Sequence, residues 1–160
     1  MKNKLLLSLL PLETKRLIIN KTTLKDIDLL LKLDKQLITQ KYLGGIKTKS
    51  KEERLAFFNK KKDRSLTIYL KDNTAIGFIE LKIDNNSAEL EYIIDYDYTN
   101  KGYCTEACKL LIEIAFSKLN INRIYASINK NNINSKRVLE KIGFKLAKTA
   151  DFLEYELFKE

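Results

Sequence analysis

Residues 98–116, YTNKGYCTEACKLLIEIAF, begin as a polar loop with one glycine and turn into an amphipathic helix pattern. A strand pattern ends near Ile94, so Asn100, Lys101, Gly102, Tyr103 and Cys104 lead into a helix start, where backbone N–H groups lack partners and the helix dipole is positive. Such an arrangement holds an anion, and a phosphate or pyrophosphate is its natural occupant. Gly102 omits the Cβ that would obstruct close approach, Lys101 adds a charge, Thr105 offers a hydroxyl as helix cap, and Glu106 suits the first turn. The loop is neither a Walker loop, since no G-K-[ST] occurs, nor a G-x-G-x-x-G turn. Taken alone, it favours an ordinary strand-to-helix connection.

The surrounding pattern supplies the elements that would position this loop. RLIIN, residues 16–20, reads as a β-branched strand, and TTLKDIDLLLKL opens a helix with Thr23 as cap, Asp26 three residues on, and Leu24, Ile27, Leu30 and Leu31 inward. Ser50 and Glu53 repeat that capping pattern before RLAFF. The period then changes to two: SLTIYL, AIGFIELKI and AELEYII are strands separated by the turn sequences KDNT and DNNS, an antiparallel meander. After the quoted loop and helix come the strand RIYASI, the helix NSKRVLEKI closed by Gly143, and strands around FKLA and FLEYELF. The helices after Tyr103 and Asn134 read as crossovers, which predicts an α+β fold whose sheet mixes parallel and antiparallel strands.

With 160 residues, 44% hydrophobic and 32% charged, the chain suits one domain spanning residues 1–160. Its single proline, Pro11, leaves nothing that reads as a linker. The net charge of +9 favours an anionic partner, but the basic residues are spread along the chain, as on a solvated surface. There is no histidine, so no imidazole base and no His-containing zinc site, and a metal is not expected. Cys104 and Cys108 have neither zinc nor redox-motif spacing and read as two buried thiols in a reducing compartment. Leu5 to Leu10 is too short for a secretory core and no run reaches membrane-spanning length, so a soluble, cytoplasmic protein is expected.

From LETKRLIINKTTLKDIDLLLKL through IGFIEL, AELEYII and NKGYCTEACKLLIEIAF to NKNNINSKRVLEKIGFK, the chain resembles the GNAT superfamily of acetyl-CoA-dependent N-acetyltransferases, and within it the RimJ/RimL-like branch. The resemblance implies the GNAT fold: a twisted, mixed, mostly antiparallel sheet of six to seven strands flanked by about four helices. It implies acetyl-CoA as acetyl donor. The family's pyrophosphate loop falls on Thr99, Asn100, Lys101, Gly102, Tyr103 and Cys104, where Thr99 replaces a long polar residue and Cys104 a small one. Binding is then expected mainly through backbone amides of Lys101, Gly102, Cys104 and Thr105. The end of the preceding strand, Tyr92, Ile93 and Ile94, would hydrogen-bond the pantetheine arm as an added strand does. Asn132 matches a cofactor contact and Ser135 a position near its sulfur; without the resemblance, Asn132 is a turn residue and Ser135 a helix cap. The helix tyrosine that many relatives resemble one another in is here Leu139.

Amide formation from a thioester needs a deprotonated amine, a stabilised carbonyl oxygen and a proton for the leaving thiolate. Glu89 and Glu91 share one face of their strand: either a pair that draws a cation and takes its proton through water, or the strand's solvent face. Ser135 is the candidate to stabilise the thiolate, with transfer direct from acetyl-CoA to amine. The acceptor region is expected from residues 24–62 and 147–158, and a short C-terminal segment suggests an open groove suited to a protein N-terminus, with a small-molecule amine the other class. Nucleic acid is not expected as a partner, the chain being monomeric or homodimeric. The competing reading is a catalytically inactive, basic GNAT-like module that binds RNA or ribosomes.

Overall fold

The alternating runs between Ser65 and Ile94 form the meander, and the rest of the sheet grows from its two sides. The computed structural model describes residues 1–42, 50–61 and 63–160. Its eight strands are β1 (Leu12–Glu13), β2 (Leu17–Lys21), β3 (Leu66–Leu70), β4 (Ala75–Asp84), β5 (Ser87–Ile94), β6 (Arg123–Asn129), β7 (Lys145–Thr149) and β8 (Phe152–Phe158), in the order β1-β2-β3-β4-β5-β6-β8-β7. The strand beyond the sequence-based count is β1, two residues paired with β2. Among the described residues the helices are α1 (Lys2–Ser8), α2 (Ile27–Lys35), α3 (Leu37–Tyr42), α4 (Lys51–Lys61), α5 (Tyr103–Lys118) and α6 (Ile133–Ile142), α1 and α3 being additional to those read from the pattern. Asn73 and Asn85 take positive φ in the KDNT and DNNS turns, a conformation asparagine tolerates.

α5 is a crossover between parallel strands, with Ser87 opposite Arg123 and Glu89 opposite Tyr125. α6 leads from β6 to β7, and β8 lies antiparallel between them, so β6 and β7 run in the same direction. The decisive feature is where the β5–β6 ladder stops. It ends at Glu89–Tyr125, while β5 stays paired with β4 as far as Ile94 and β6 stays paired with β8 as far as Asn129. The two strands part, and a gap opens in the middle of the sheet.

Each face of the sheet has its own cover. Ala107, Cys108, Leu111, Ile112 and Ala115 of α5 and Leu6 of α1 join the core on one face; Ile27, Leu30, Leu33 and Phe58 of α2 and α4 pack with Phe78 and Ile93 on the other. Lys2 ties α1 down through Nζ, which donates to Asn85 O (2.6 Å), Asn86 Oδ1 (2.7 Å) and Asn120 O (2.9 Å). The Thr23–Asp26 capping pair is present, the Thr23 N–H donating to Asp26 Oδ2 at 2.9 Å. Asp26 does more than cap: it is buried and accepts from the Tyr69 hydroxyl (2.7 Å) and from Thr67 Oγ1 (3.2 Å), which docks the start of α2 on β3. Removing that carboxylate takes its acceptor from the buried Tyr69 hydroxyl, at about 1–3 kcal/mol, while Thr67 Oγ1 keeps its hydrogen bond with Thr22 Oγ1 at 2.9 Å. Leu24 is not inward; it sits in a 3-10 turn at 64% exposure, and Leu33 takes the core position instead.

Candidate active site

The loop before α5 has two left-handed residues on either side of Lys101, Asn100 at φ 61° and Gly102 at φ 81°. Gly102 is itself the N-cap, so Thr105 lies inside the helix and is not the cap expected from the sequence. A non-glycine residue at Gly102 would be strained by about 1–2 kcal/mol, and its Cβ would stand 3.3 Å from Arg16 Nη2. Arg16 lies before β2 rather than in it and clamps the loop from behind. Its Nε donates to Glu106 Oε1 (2.8 Å), its Nη1 donates to the Lys101 carbonyl (2.9 Å), and its guanidinium lies 4.5 Å from the Tyr103 ring centre. Thr14 donates to Glu106 Oε2 at 2.5 Å. Burial acts to raise the Glu106 carboxyl, but the Thr14 hydroxyl and Arg16 outweigh it and hold the group below the usual carboxylate range. Sequence reasoning assigned Glu106 to the helix dipole alone; its partners come from a segment far away in the chain.

A cavity of about 340 Å³ opens beside this loop. Thr99, Asn100, Gly102, Tyr103, Cys104 and Thr105 line it from the loop side, Tyr92, Ile93 and Ile94 from β5, and Asn132 and Ser135 from α6. Lys101 is not among the lining residues; its ammonium sits 5.8 Å from the Tyr98 ring centre. Cys104 is half-buried and only Cys108 is fully buried, against the expectation of two buried thiols. The ladder sets which backbone groups face the gap. The Asp95 N–H donates to Ile76 O (2.8 Å), so alternation turns Ile93 towards β4 and Tyr92 and Ile94 towards the gap. The Ile94 carbonyl accepts from Gln36 Nε2 at 3.0 Å. Thr39 Oγ1 lines the same cavity, buried and without a hydrogen-bond partner. Arg137 and Lys141 add two cations to the wall that the sequence reading missed; their spacing of four on α6, on the same face as Val138 of that wall, is the signal that was available.

A second cavity, about 280 Å³, lies under α2 and α4. Its apolar wall includes Leu30, Leu33, Phe57, Phe58 and Phe78, and among the described residues its charged lining is Asp34, Glu80 and Glu91 against Arg54, Lys61 and Lys82. None of residues 147–158 lines it, so that part of the expected acceptor region is not brought in; residues 43–49 and 62 of the expected span lie outside the described residues. Glu91 is at this cavity and Glu89 is not, although both meet Lys82, Glu89 at 3.6 Å and Glu91 in a closer ion pair. Burial works against the Lys82 ammonium, but Glu91 outweighs it and the lysine is held above its ordinary pKa. Arg54 pairs with Asp34 at 3.3 Å, both buried.

The carboxylate that sequence reasoning missed is Glu80. It is fully buried, lies on the same face of β4 as Phe78 and Lys82, and is in ion-pair contact with Arg64, yet neither of its oxygens has a hydrogen-bond partner. Burial pushes its carboxyl above the usual carboxylate range, with Arg64 opposing and Glu91 adding to the rise. The period of two in GFIELKI put Glu80 on the face of Phe78 and was the legible signal.

The cavities meet at Tyr92, Ile93, Asn132 and Ser135, which line both. Asn132 Oδ1 accepts from the Ser135 N–H at 3.2 Å and is the N-cap of α6, so the capping role falls on Asn132 and not on Ser135. Leu139 is fully buried in the core. Among the described residues no group of three or more His, Cys, Asp or Glu side chains is placed to hold a metal, and no helix is long and apolar enough to cross a membrane.

The model of the acetyltransferase (GNAT) domain matches residues 16–145. The chain belongs to the GNAT family. This GNAT chain is 32% identical over 139 residues to an uncharacterised N-acetyltransferase, YnaD, of Bacillus subtilis, covering 82% of the chain and 81% of the relative. Over a shorter stretch of 76 residues, 46% of the chain and 41% of the relative, it is 33% identical to spermidine N(1)-acetyltransferase of Escherichia coli. A GNAT acetyltransferase structure from Bacillus anthracis superposes with a TM-score of 0.80 at 26% identity, covering 90% of this chain and 94% of that one. The spermidine N-acetyltransferase of Vibrio cholerae, in complex with CoA and spermine, shares the fold at a TM-score of 0.82 and 20% identity, covering 91% and 96%. The GNAT chain is therefore an acyltransferase with acetyl-CoA as its donor. Its first cavity fits such a donor on its own terms: a left-handed glycine clears the helix start, and a buried hydroxyl without a partner faces inward.

Proposed function

We propose that this acetyltransferase passes the acetyl group directly from acetyl-CoA to a single primary amine, with a protein or peptide N-terminus preferred to a polyamine. The observation that carries the reading is the meeting of two separate cavities at the gap between β5 and β6. The first would take the donor: backbone amides of Gly102, Cys104 and Thr105, with that of Lys101, at the pyrophosphate, Arg137 and Lys141 towards its phosphates, and Tyr92 and Ile94 backbone groups along the pantetheine arm. Thr99, Asn100 and Tyr103 shape the loop, and Asn132 and Ser135 flank the reactive end. When bound, acetyl-CoA supplies an activated thioester carbonyl. Glu80 and Glu91 line the acceptor side, where they attract an ammonium and, through water, take its proton; Glu89 supports them only through Lys82.

Charge balance argues for the acceptor class. The lining carboxylates Asp34, Glu80 and Glu91 are matched by Arg54, Lys61 and Lys82, so the cavity has little net negative charge to hold the further ammoniums of a polyamine. Its phenylalanine and leucine wall suits the apolar side chain next to a peptide amine. A 38% match over 78 residues to YdaF of Bacillus subtilis, described as a putative ribosomal N-acetyltransferase, supports the RimJ/RimL-like branch. The free thiols Cys104 and Cys108 suit a reducing compartment such as the cytoplasm.

The test is calorimetric titration with acetyl-CoA, on the unmodified protein and on Gly102→Glu, followed by mass spectrometry of peptides with free N-termini and of spermidine after incubation with enzyme and donor. Micromolar donor binding lost in the variant, with peptide acetylation exceeding that of spermidine, is expected. Binding that Gly102→Glu leaves intact would remove the loop from the donor site, and faster acetylation of spermidine would overturn the acceptor class.

A further inference from the structure

The departing sulfur of the donor needs a proton, and no histidine exists to supply it. The reacting atoms must lie where donor and acceptor cavities meet, which restricts the search to Tyr92, Ile93, Asn132 and Ser135. Ile93 has no proton to give. The Asn132 amide is not an acid, and its oxygen is committed to the Ser135 N–H. Ser135 carries an aliphatic hydroxyl, a far weaker acid than a phenol, which ordinarily titrates near 10. The Tyr92 hydroxyl lies 3.5 Å from the Ser135 carbonyl oxygen, at the outer limit of a hydrogen bond, so that contact is a weak one.

We propose that Tyr92 is the proton donor to the leaving sulfur, a catalytic role for its side chain beyond the backbone contact described above; the inference rests on the acetyltransferase reading of the two cavities. The Tyr92 phenol gives its proton to sulfur as the carbon–sulfur bond breaks and the electron pair leaves with sulfur. The amine nitrogen, having already lost one proton to the carboxylate side, forms the new carbon–nitrogen bond and releases its second proton, and the phenolate takes up one equivalent in return. Burial, with Cys104 and Cys108 beside it, pushes the phenol well above its ordinary value, so the group carries its proton throughout the neutral range.

Tyr92→Phe keeps the ring and removes only the hydroxyl. The first readout does not depend on the acceptor: ionisation of the thiol of bound CoA, followed by thiolate absorbance in the ultraviolet as the difference between CoA and desulfo-CoA complexes. In the unmodified protein the bound thiol is expected to ionise at lower pH than in Tyr92→Phe, because the phenol hydrogen-bonds the thiolate. In the second readout, with acetyl-CoA and a short peptide bearing a free N-terminal alanine, kcat should fall roughly 10²-fold while KM for acetyl-CoA changes by no more than about twofold. An identical thiol titration in both proteins overturns the proposal, as does a shift abolished by Ser135→Ala but not by Tyr92→Phe. If the phenylalanine variant does not fold, uniform replacement of tyrosine by the more acidic 3-fluorotyrosine must lower the thiol's titration further, and no change overturns the proposal. Absence of CoA binding by the unmodified protein is a different failure, which removes the acetyltransferase assignment of the cavities and this inference with it.

Discussion

At the scale of one residue, Glu80 is the carboxylate proposed above to take a proton from the acceptor amine. Its ordinary unfolded pKa is near 4.3, and burial in the folded protein raises it. A raised carboxylate contributes stability that is fully present below its unfolded value and is lost as pH rises through the folded one. Ionised Glu80 is thus carried at a cost to stability, because burial disfavours its charged form. Glu80→Gln is accordingly expected to lower kcat/KM about 10²-fold and to remove the acidic limb of the pH–rate profile, a limb placed above the usual glutamate range, while thermal melting at neutral pH shows no loss. A variant that melts much lower with an unchanged pH profile would make Glu80 a structural partner of Arg64. The face on which Glu80 lies was legible from the alternation in GFIELKI. Its depth was not, because burial depends on α2 and α4 arriving from elsewhere in the chain to cover it.

At the scale of the element, the site depends on how closely β4 and β5 approach at Gly77. That residue pairs with Ile94, and a Cβ built on it would stand 2.7 Å from the Ile93 carbonyl oxygen and 2.7 Å from Ile94 Cδ1. Backbone cannot yield as a long side chain can, so Gly77→Ala must push the end of β5 towards the gap. The expected cost is about 1–3 kcal/mol of stability, with at least a several-fold weaker Kd for acetyl-CoA by calorimetry. Unchanged affinity would show that the β5 end does not set the donor site. The meander, both crossovers and the glycine-closed α6 were readable because period, turn residues and caps are local signals. The short β1 and the Arg16 clamp were not, since β1 exists only through its pairing with β2, and Arg16 acts on Glu106 and the Lys101 carbonyl across the fold.

For the whole molecule, the parted β5 and β6 leave a sheet whose two halves are joined at that seam by only the ladder from Ser87–Arg123 to Glu89–Tyr125. A donor seated between them adds its binding energy to the folded state alone. At a concentration of 100 times Kd, acetyl-CoA should stabilise by about 2.7 kcal/mol, a rise of roughly 5–10 °C in Tm for a chain of this size, read by thermal melting with and without the ligand. No shift at saturation would contradict binding at the seam. The sequence by itself determined the strands and principal helices, the mixed sheet, the glycine loop that opens the helix after Gly102 and the resemblance to acetyltransferases, because each is written in neighbouring residues and their period. Only the tertiary structure decided that Glu91 and not Glu89 reaches the second cavity, that Glu80 is buried there among paired charges, and that Tyr92 and Ser135 stand where both cavities meet. Those outcomes depend on the point at which one ladder ends and on which distant helix covers which face, quantities set by the packing of the whole chain.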